Sequence, residues 1–175
     1  MKTKLKHVLM MAVLVMMFAL AGCGATLTTN LQIDDNFAGT RAMDVTISTS
    51  DFSEYVTGDI LTLATATDAA KPAGMTFTYE ELATGEYAFH FALPFTSKDD
   101  YDAKVAAILG EGYSTEYNIS DSAFATGVYF EEDFGSPELL GWFETLLVDQ
   151  GYVDSSDSSY IFEYTDNYVT INGQQ

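Results

Sequence analysis

The pattern of the first 23 residues indicates which part of this chain belongs to the folded domain. They begin with three lysines (Lys2, Lys4 and Lys6), continue as an apolar run and end in small residues. Secretory signals have this three-part layout, and their apolar segment of roughly 7–15 residues is too short to form a permanent membrane-spanning helix. We therefore predict that residues 1–22 are removed as a signal peptide, and that the remaining 153 of the 175 residues fold outside the cytoplasm.

The last four residues of this segment, Leu20, Ala21, Gly22 and Cys23, resemble the lipobox of bacterial lipoproteins. Small residues let a membrane protease grip an extended chain, and the thiol of Cys23 can carry lipid. The resemblance implies a diacylglyceryl thioether on Cys23, cleavage before it, and acylation of the new amine by a fatty acid such as palmitate. It also implies anchoring at the outer face of the bacterial cytoplasmic membrane, or in the cell envelope. The alternative is an ordinary signal peptide with a chance cysteine.

Cys23 is the only cysteine in the chain. Assigning it to lipid excludes disulfides, thiolate metal sites and a cysteine nucleophile, so the fold must be stabilised by packing alone. The length after the signal suits one domain, and no repeat or second domain is found. We therefore expect a lipidated tether over residues 23–25 and a single domain over residues 26–175.

The chain that remains after cleavage is strongly acidic. Four basic residues (Arg41, Lys71, Lys98 and Lys104) stand against all 26 acidic ones, which gives a formal net charge of −22. Such a surface is repelled by nucleic acid phosphates and anionic lipid headgroups, so we expect no nucleic acid partner and membrane attachment through the lipid. The charge indicates either a solvated, aggregation-resistant surface or capture of cations or a basic partner, and it does not identify a protein or glycan partner.

Alternation of apolar and polar residues predicts two hairpins in the first half of the chain. The strands fall at 26–33 and 43–48, then at 75–79 and 87–93, and turn-rich residues 34–39 and 80–86 join each pair. Helical spacing predicts a helix from Ser50 to about Thr67. A second helix should be capped by Ser97 and end at Gly110.

The same signals predict a strand, a helix and a last hairpin in the second half of the chain. Residues 111–121 are polar and predicted to be irregular, and residues 124–130 read as a strand. Ser136 and Pro137 open a helix that ends at Gly151, and a last hairpin is expected with its turn around residues 166–167. The order ββα-ββα-βα-ββ predicts an α+β fold, with an antiparallel sheet built from hairpins and about three helices packed on one face.

Residues 26–109 are similar in layout to small bacterial envelope lipoproteins with an LppM-type domain. The matching pieces are the lipid cysteine, the strands 26–33 and 43–48 around an Asp/Gly turn, a helix opened by Ser50, and the aromatic strand 87–95 followed by the Ser97 helix. The resemblance implies a globular α+β envelope domain, with lipid or glycolipid interaction proposed for some relatives. Members often carry a C-terminal membrane helix, whereas no apolar span is found before Gln175.

Clustered acids offer two kinds of chemistry. Glu131, Glu132 and Asp133 lie between a predicted strand and a helix start, and glycoside hydrolysis needs two carboxyl groups held at a defined separation. The same three residues, with Asp154 and Asp157, also supply the hard oxygen ligands that calcium prefers. Neither stretch matches the D-x-[DN]-x-[DN]-G calcium loop, so we expect at most weakly bound calcium and no dedicated metal site.

Other catalytic or binding patterns are scarce. His90 is the only histidine after the signal, and no G-x-S-x-G nucleophile motif accompanies it, so we assign no catalytic residue. The aromatic strands 87–95 and 160–168 either line a groove for a sugar or lipid or form core. The sequence thus predicts a non-enzymatic, lipid-anchored protein for binding or envelope maintenance; a cell-wall or glycan-active hydrolase and a carrier of an apolar or lipid ligand are the alternatives.

Overall fold

The computed structural model describes residues 25–121, 126–154 and 164–171. Over these ranges the chain forms seven strands and five helices, in the order β1 (Thr26–Ile33), β2 (Gly39–Ser48), α1 (Thr49–Tyr55), α2 (Ile60–Ala70), β3 (Thr76–Leu82), β4 (Glu86–Phe95), α3 (Lys98–Leu109), β5 (Thr115–Asp121), β6 (Thr126–Glu132), α4 (Ser136–Leu139), α5 (Gly141–Asp149) and β7 (Tyr164–Ile171).

The strands form one large sheet and one small one. The large sheet has the order β3-β4-β2-β1-β7, and its first four strands are antiparallel and come from the two predicted hairpins. β7 joins the far side of β1 in parallel. β5 and β6 form a separate antiparallel hairpin. The predicted α+β class, with an antiparallel sheet built from hairpins, is confirmed.

One face of the large sheet is the core. Alternate residues of the three central strands are buried on this side, among them Leu27, Met43, Val45, Phe91 and Leu93. Helices cover the same side: the ring of Phe52 in α1 lies 5.0 Å from that of Tyr87, and Phe143 in α5 lies 5.2 Å from Phe91. Burying each large apolar side chain contributes about 1.5–3 kcal/mol, so this layer supplies most of the stability of a fold without disulfides.

The opposite face of the large sheet carries short and polar side chains. Positions such as Thr28, Ala42, Asp44, His90 and Ala92 lie there, and each is only partly buried. This alternation of apolar and polar faces is the usual consequence of an antiparallel sheet that is packed on one side.

The predicted helix from Ser50 to Thr67 is two helices. Val56 leaves helical geometry at the end of α1, and Gly58 follows with a φ of +106°, which favours glycine. Asp59 then starts α2 by accepting a hydrogen bond from the amide of Thr62. The cap of α1 is Ser48 rather than Ser50, because the Ser48 hydroxyl accepts from the amide of Asp51 at 3.0 Å.

The later helices also differ in detail from the sequence prediction. α3 is capped by Ser97 and ends at Gly110, as predicted. The helix predicted to begin at Ser136 does begin there, but it is interrupted at Leu140, whose ψ of 4° separates α4 from α5.

Two strand predictions in the second half are wrong. Residues 111–121 were predicted to be irregular, yet residues 115–121 form the strand β5. Tyr117 and Ile119 of this strand lie directly opposite Phe130 and Val128 of β6. The turn predicted at residues 166–167 is absent, since β7 runs unbroken along the whole of β1. The earlier residues of that predicted hairpin, 160–163, lie outside the described ranges, as do residues 124 and 125 of the strand predicted at 124–130.

Candidate functional site

Arg41 is a charged residue in the middle of the core. It lies in phase with Met43 and Val45 on the buried face of β2, between Leu31 of β1 and Leu93 of β4, and it is 6% exposed. A buried guanidinium is costly unless its charge is paired and its N–H groups find acceptors. The surroundings of Arg41 therefore show what this part of the fold is arranged to hold.

Three other side chains close around the guanidinium. Its Nη1 donates to Glu132 Oε2 at 2.5 Å and to the hydroxyl of Tyr101 at 2.8 Å, while Nε and Nη2 donate to Ser136 Oγ at 3.1 and 2.9 Å. Tyr101 in turn donates to Glu132 Oε1. Phe134 covers one face of the group, with its ring centroid 5.7 Å from Arg41 Cζ. We call Arg41, Tyr101, Glu132 and Ser136 the buried polar cluster.

The electrostatics of the buried polar cluster favour one protonation state. Burial lowers the pKa of Arg41, but attraction to Tyr101 and Glu132 and hydrogen bonds to both outweigh it, so that pKa is raised. Burial raises the pKa of Tyr101 well above its usual value, and the charge of Glu132 raises it further against the opposing effect of Arg41. A guanidinium and a neutral phenol are thus maintained inside the core.

The buried polar cluster joins elements that are distant in sequence. Arg41 belongs to the sheet, Tyr101 to α3, Glu132 to the end of β6 and Ser136 to the start of α4. Tyr101 and Ser136 have no exposed surface. Because the guanidinium donates to side chains on three sides and is covered by Phe134, the arrangement suits holding elements together better than binding a ligand.

The three clustered acids predicted from the sequence do not converge. Glu131 is exposed and accepts a hydrogen bond from the Tyr129 hydroxyl, whereas Glu132 is bound by Arg41 inside the core. Asp133 accepts hydrogen bonds from the backbone amide and the hydroxyl of Ser114. The hydrogen bond from the backbone amide is the main cause that lowers the pKa of Asp133. This divergence follows from the strand, in which successive side chains point to opposite faces.

The predicted calcium ligands that lie in the described ranges are not brought together either. Asp154 is exposed at the end of the second described range, and Asp157 lies outside the described ranges. No group of three or more His, Cys, Asp or Glu side chains with the spacing of a metal site occurs among the residues that the structure describes.

His90 lies on the open face of the sheet between two carboxylates. Its Nδ1 is 2.7 Å from Asp44 Oδ1 on β2, and its Nε2 is 3.3 Å from Glu80 Oε1 on β3. All three side chains are 38–59% exposed. The two hydrogen bonds link three neighbouring strands, and both ring nitrogens thus bond to carboxylates rather than to the serine or threonine hydroxyl that a nucleophilic triad requires.

The aromatic residues of β4 belong to the core, because Phe89, Phe91 and Phe95 are buried there. The core interpretation of the strand 87–95 is therefore confirmed. Of the second aromatic stretch, residues 160–163 and the side chains of the rest lie outside the described part of the chain.

The predicted lipidation residues precede the first described residue. Residues 1–24, which include Leu20, Ala21, Gly22 and Cys23, lie outside the described ranges. The first described residue, Ala25, is 5% exposed and leads directly into β1. Among the described residues, no helix combines the length and the apolar character needed to cross a bilayer.

Sequence reasoning did not identify the buried polar cluster. A signal for it existed, because Arg41 shares the alternation of Met43, Val45 and Ile47, and a charge in phase with apolar residues indicates a buried charge. Its partners come from positions 101, 132 and 136, and no local pattern connects them to Arg41.

A scan against protein-family models, a search of curated proteins and a search of solved structures each found no match to this chain.

Proposed function

We propose that this protein is a lipoprotein anchored through Cys23 at the outer face of the bacterial cytoplasmic membrane, or in the cell envelope. In this proposal a signal peptidase recognises Leu20, Ala21 and Gly22, and the acidic domain serves binding or envelope maintenance without catalysis. The three-part layout of residues 1–23 and the resemblance of residues 26–109 to LppM-type envelope domains support it.

The observation that carries the proposal is the closeness of Cys23 to the folded domain. Ala25 is already buried and β1 begins at Thr26, so only Gly24 separates the cysteine from the core. An extended residue spans about 3.3–3.6 Å, which puts the lipidated sulfur within roughly 10 Å of the first strand. A tether of this length suits a domain that sits on a membrane.

The basic side chains support attachment by lipid rather than by charge. Each of the four cations after the signal is engaged with a carboxylate: Arg41 with Glu132, Lys71 with Asp68, Lys98 with Asp102 and Lys104 with Asp100. Binding to anionic headgroups usually needs a cluster of free basic residues. The described surface offers no such cluster, and so a covalent lipid is the anchor that fits.

The geometry favours the non-enzymatic form of the proposal over the hydrolase alternative. Glycoside hydrolysis requires two carboxyl groups that face one substrate, about 5–9.5 Å apart. Glu131, Glu132 and Asp133 instead engage Tyr129, Arg41 and Ser114 in three different places. Assay of wall fragments with Glu131→Gln and Asp133→Asn variants tests the hydrolase; turnover that disappears while the protein stays folded would restore it.

Metabolic labelling tests the anchor. The full chain is expressed in a bacterial host fed a radioactive fatty acid, beside a Cys23→Ser variant and a Gly24→Ser control that keeps the thiol. We expect label and membrane fractionation for the parent and the control, and loss of label for Cys23→Ser with release from membranes or an uncleaved precursor. An unlabelled parent, or a Cys23→Ser variant that matures and fractionates normally, would contradict the proposal.

A further inference from the structure

We propose that residues 55–61, which connect α1 to α2 and are called here the α1–α2 corner, form the surface with which the anchored domain rests on the lipid bilayer. The inference builds on the proposed lipid anchor at Cys23, because the anchor decides which end of the domain meets the membrane. It adds a second, non-covalent contact and a defined orientation.

The α1–α2 corner exposes apolar surface. Leu61 is 63% exposed, the highest value for any large apolar side chain among the described residues. Tyr55 is 38% exposed. The other two such residues are Tyr113 and Tyr129. Leucine and tyrosine match the composition of surfaces that rest in a membrane interface, where tyrosine rings lie at the headgroup level.

The topology puts this corner at the anchored end of the sheet. Thr26, the first residue of β1, pairs with Thr46, and α1 begins three residues after Thr46. α2 packs against β3 and is joined to it by residues 71–75, which enter β3 at its far end, where Thr76 pairs with Ala92. The start of α2 therefore lies toward the end where β3 finishes and β1 starts.

The other two exposed aromatic residues mark the opposite end. The β5–β6 hairpin packs against the turn between β1 and β2, where the Tyr117 ring lies 4.7 Å from that of Phe37. Tyr129 is on this hairpin, directly across from Asn118, and Tyr113 precedes it with its ring 6.0 Å from Phe134. The turn that holds Phe37 follows the last residue of β1, one full strand away from Cys23.

The short tether points to the bilayer as the occupant. Because only Gly24 lies between Cys23 and the buried Ala25, lipid on Cys23 keeps the start of β1, and the corner beside it, near the headgroups. Exposed Glu54 precedes the corner and exposed Asp59 lies within it, so the corner fits zwitterionic headgroups better than anionic ones. Asp59 also caps α2 through Thr62, which holds Leu61 on an ordered first turn.

Fluorescence quenching by brominated lipid measures this contact. In a Trp142→Phe background, which removes the single native tryptophan, the reporter is introduced as Leu61→Trp, with Tyr55→Trp as a second reporter and Tyr129→Trp as the distal control. The mature lipoprotein is placed in phosphatidylcholine vesicles brominated near the headgroup. A parallel sample couples unlipidated Cys23 to a maleimide phospholipid, so the measurement does not depend on lipidation in the cell.

We expect the Leu61→Trp variant to lose about half of its emission in brominated vesicles and the Tyr129→Trp control to lose less than about a tenth, because interfacial side chains reach the acyl boundary. Equal quenching of the two, or stronger quenching of the control, would overturn the inference. If the maleimide-coupled sample shows stronger quenching of Leu61→Trp than of Tyr129→Trp but the cellular protein carries no lipid, the proposed function is wrong and the inference about the α1–α2 corner is retained. If the cellular protein carries lipid but the two variants are quenched equally, the inference about the α1–α2 corner is wrong and the proposed function is retained.

Discussion

The guanidinium of Arg41 and the carboxylate of Glu132 meet 2.5 Å apart in the core, with only 7% and 9% of their side chains exposed. Ninety-one positions of sequence separate the two residues, so their contact ties the central sheet to the end of the β5–β6 hairpin. Tyr101 bridges them from α3, and the Ser136 hydroxyl oxygen accepts hydrogen bonds from Nε and Nη2 of Arg41. The stability of the domain should therefore depend on this pair more than on any exposed one.

Arg41→Met should destabilise the domain by about 3–5 kcal/mol, because it leaves the Glu132 carboxylate buried without its cation. Urea unfolding of the purified protein, monitored by circular dichroism, measures the effect. Lys98→Met is the matched control: it breaks the half-exposed pair with Asp102 and should cost no more than about 1 kcal/mol.

Replacing both partners should be less harmful than replacing one. The Arg41→Met/Glu132→Leu double variant removes the stranded charge, and it should recover more than half of the stability lost in Arg41→Met. A double variant that is no more stable than Arg41→Met would show that the loss comes from packing around Tyr101 and Ser136 rather than from the unpaired carboxylate.

Alkaline pH should weaken the fold through Tyr101. Burial raises the pKa of its phenol above the ordinary value of 10.0, so the folded state keeps a proton that the unfolded chain releases. The contribution is fully present below about pH 10 and falls as the pH rises above it, by about 1.4 kcal/mol per pH unit for one proton. Urea unfolding between pH 9 and pH 11 measures the slope.

The Tyr101→Phe variant isolates this contribution. It should be less stable than the parent at neutral pH, because it loses the hydroxyl that bonds Arg41 and Glu132, and its decline above pH 10 should be shallower. Tyr117, whose pKa is also raised by burial, leaves some alkaline sensitivity in place. Parallel declines in parent and variant would show that Tyr101 does not carry the effect.

Gly39→Ala should be far more harmful than Gly110→Ala. A methyl group on Gly39 would lie 1.8 Å from the carbonyl oxygen of Gln32, so β1 and β2 would have to separate at the turn. Gly110 has a φ of +90° but open space around it, and alanine there should cost about 1–2 kcal/mol from backbone strain alone. Urea midpoints of the two variants make the comparison, and similar midpoints would refute it.

Glu116→Lys should stabilise the β5–β6 hairpin. Glu116 and Glu131 are directly opposite each other on the outer face of this hairpin, where like charges repel. An opposite-charge pair should raise stability by about 0.2–1 kcal/mol in low salt and less in high salt. Thermal unfolding detects the change, and Glu111→Lys, with the same charge change at an exposed position before β5, is the control. A gain of the same size in both variants would indicate net charge rather than the cross-strand pair.

The four strands of the two large hairpins could be predicted because their patterns are local. Alternation over residues 26–33 gave the bounds of β1, and the aromatic alternation after Gly85 gave β4. Two helix starts were also found, one at the capping residue Ser97 and one at Ser136, the first residue of α4. The break between α1 and α2 was missed because the apolar spacing from Phe52 to Leu63 continues through Gly58 as though the helix did not end.

The partners of β7 and of Arg41 could not be predicted, since both depend on residues far away in the chain. Val169 and Ile171 alternate with the polar Thr170, but nothing near them indicates a parallel partnership with β1. The acids 131–133 looked like one group in the sequence, and only the strand geometry shows that Glu132 turns inward while its neighbours stay outside. Predicting the site therefore required the assembled core.

The parallel pairing of β1 with β7 has a consequence for the export proposed for this protein. Thr26 pairs with Tyr164, 138 positions later, so in the proposed export the strand nearest the proposed anchor gains its second neighbour only after residues 164–171 have left the translocation channel. Until that moment one border of β1 stays open to any other extended peptide. A chaperone that covers this edge of β1 during secretion would then favour folding. A delay that prolongs the exposure of the edge would favour aggregation.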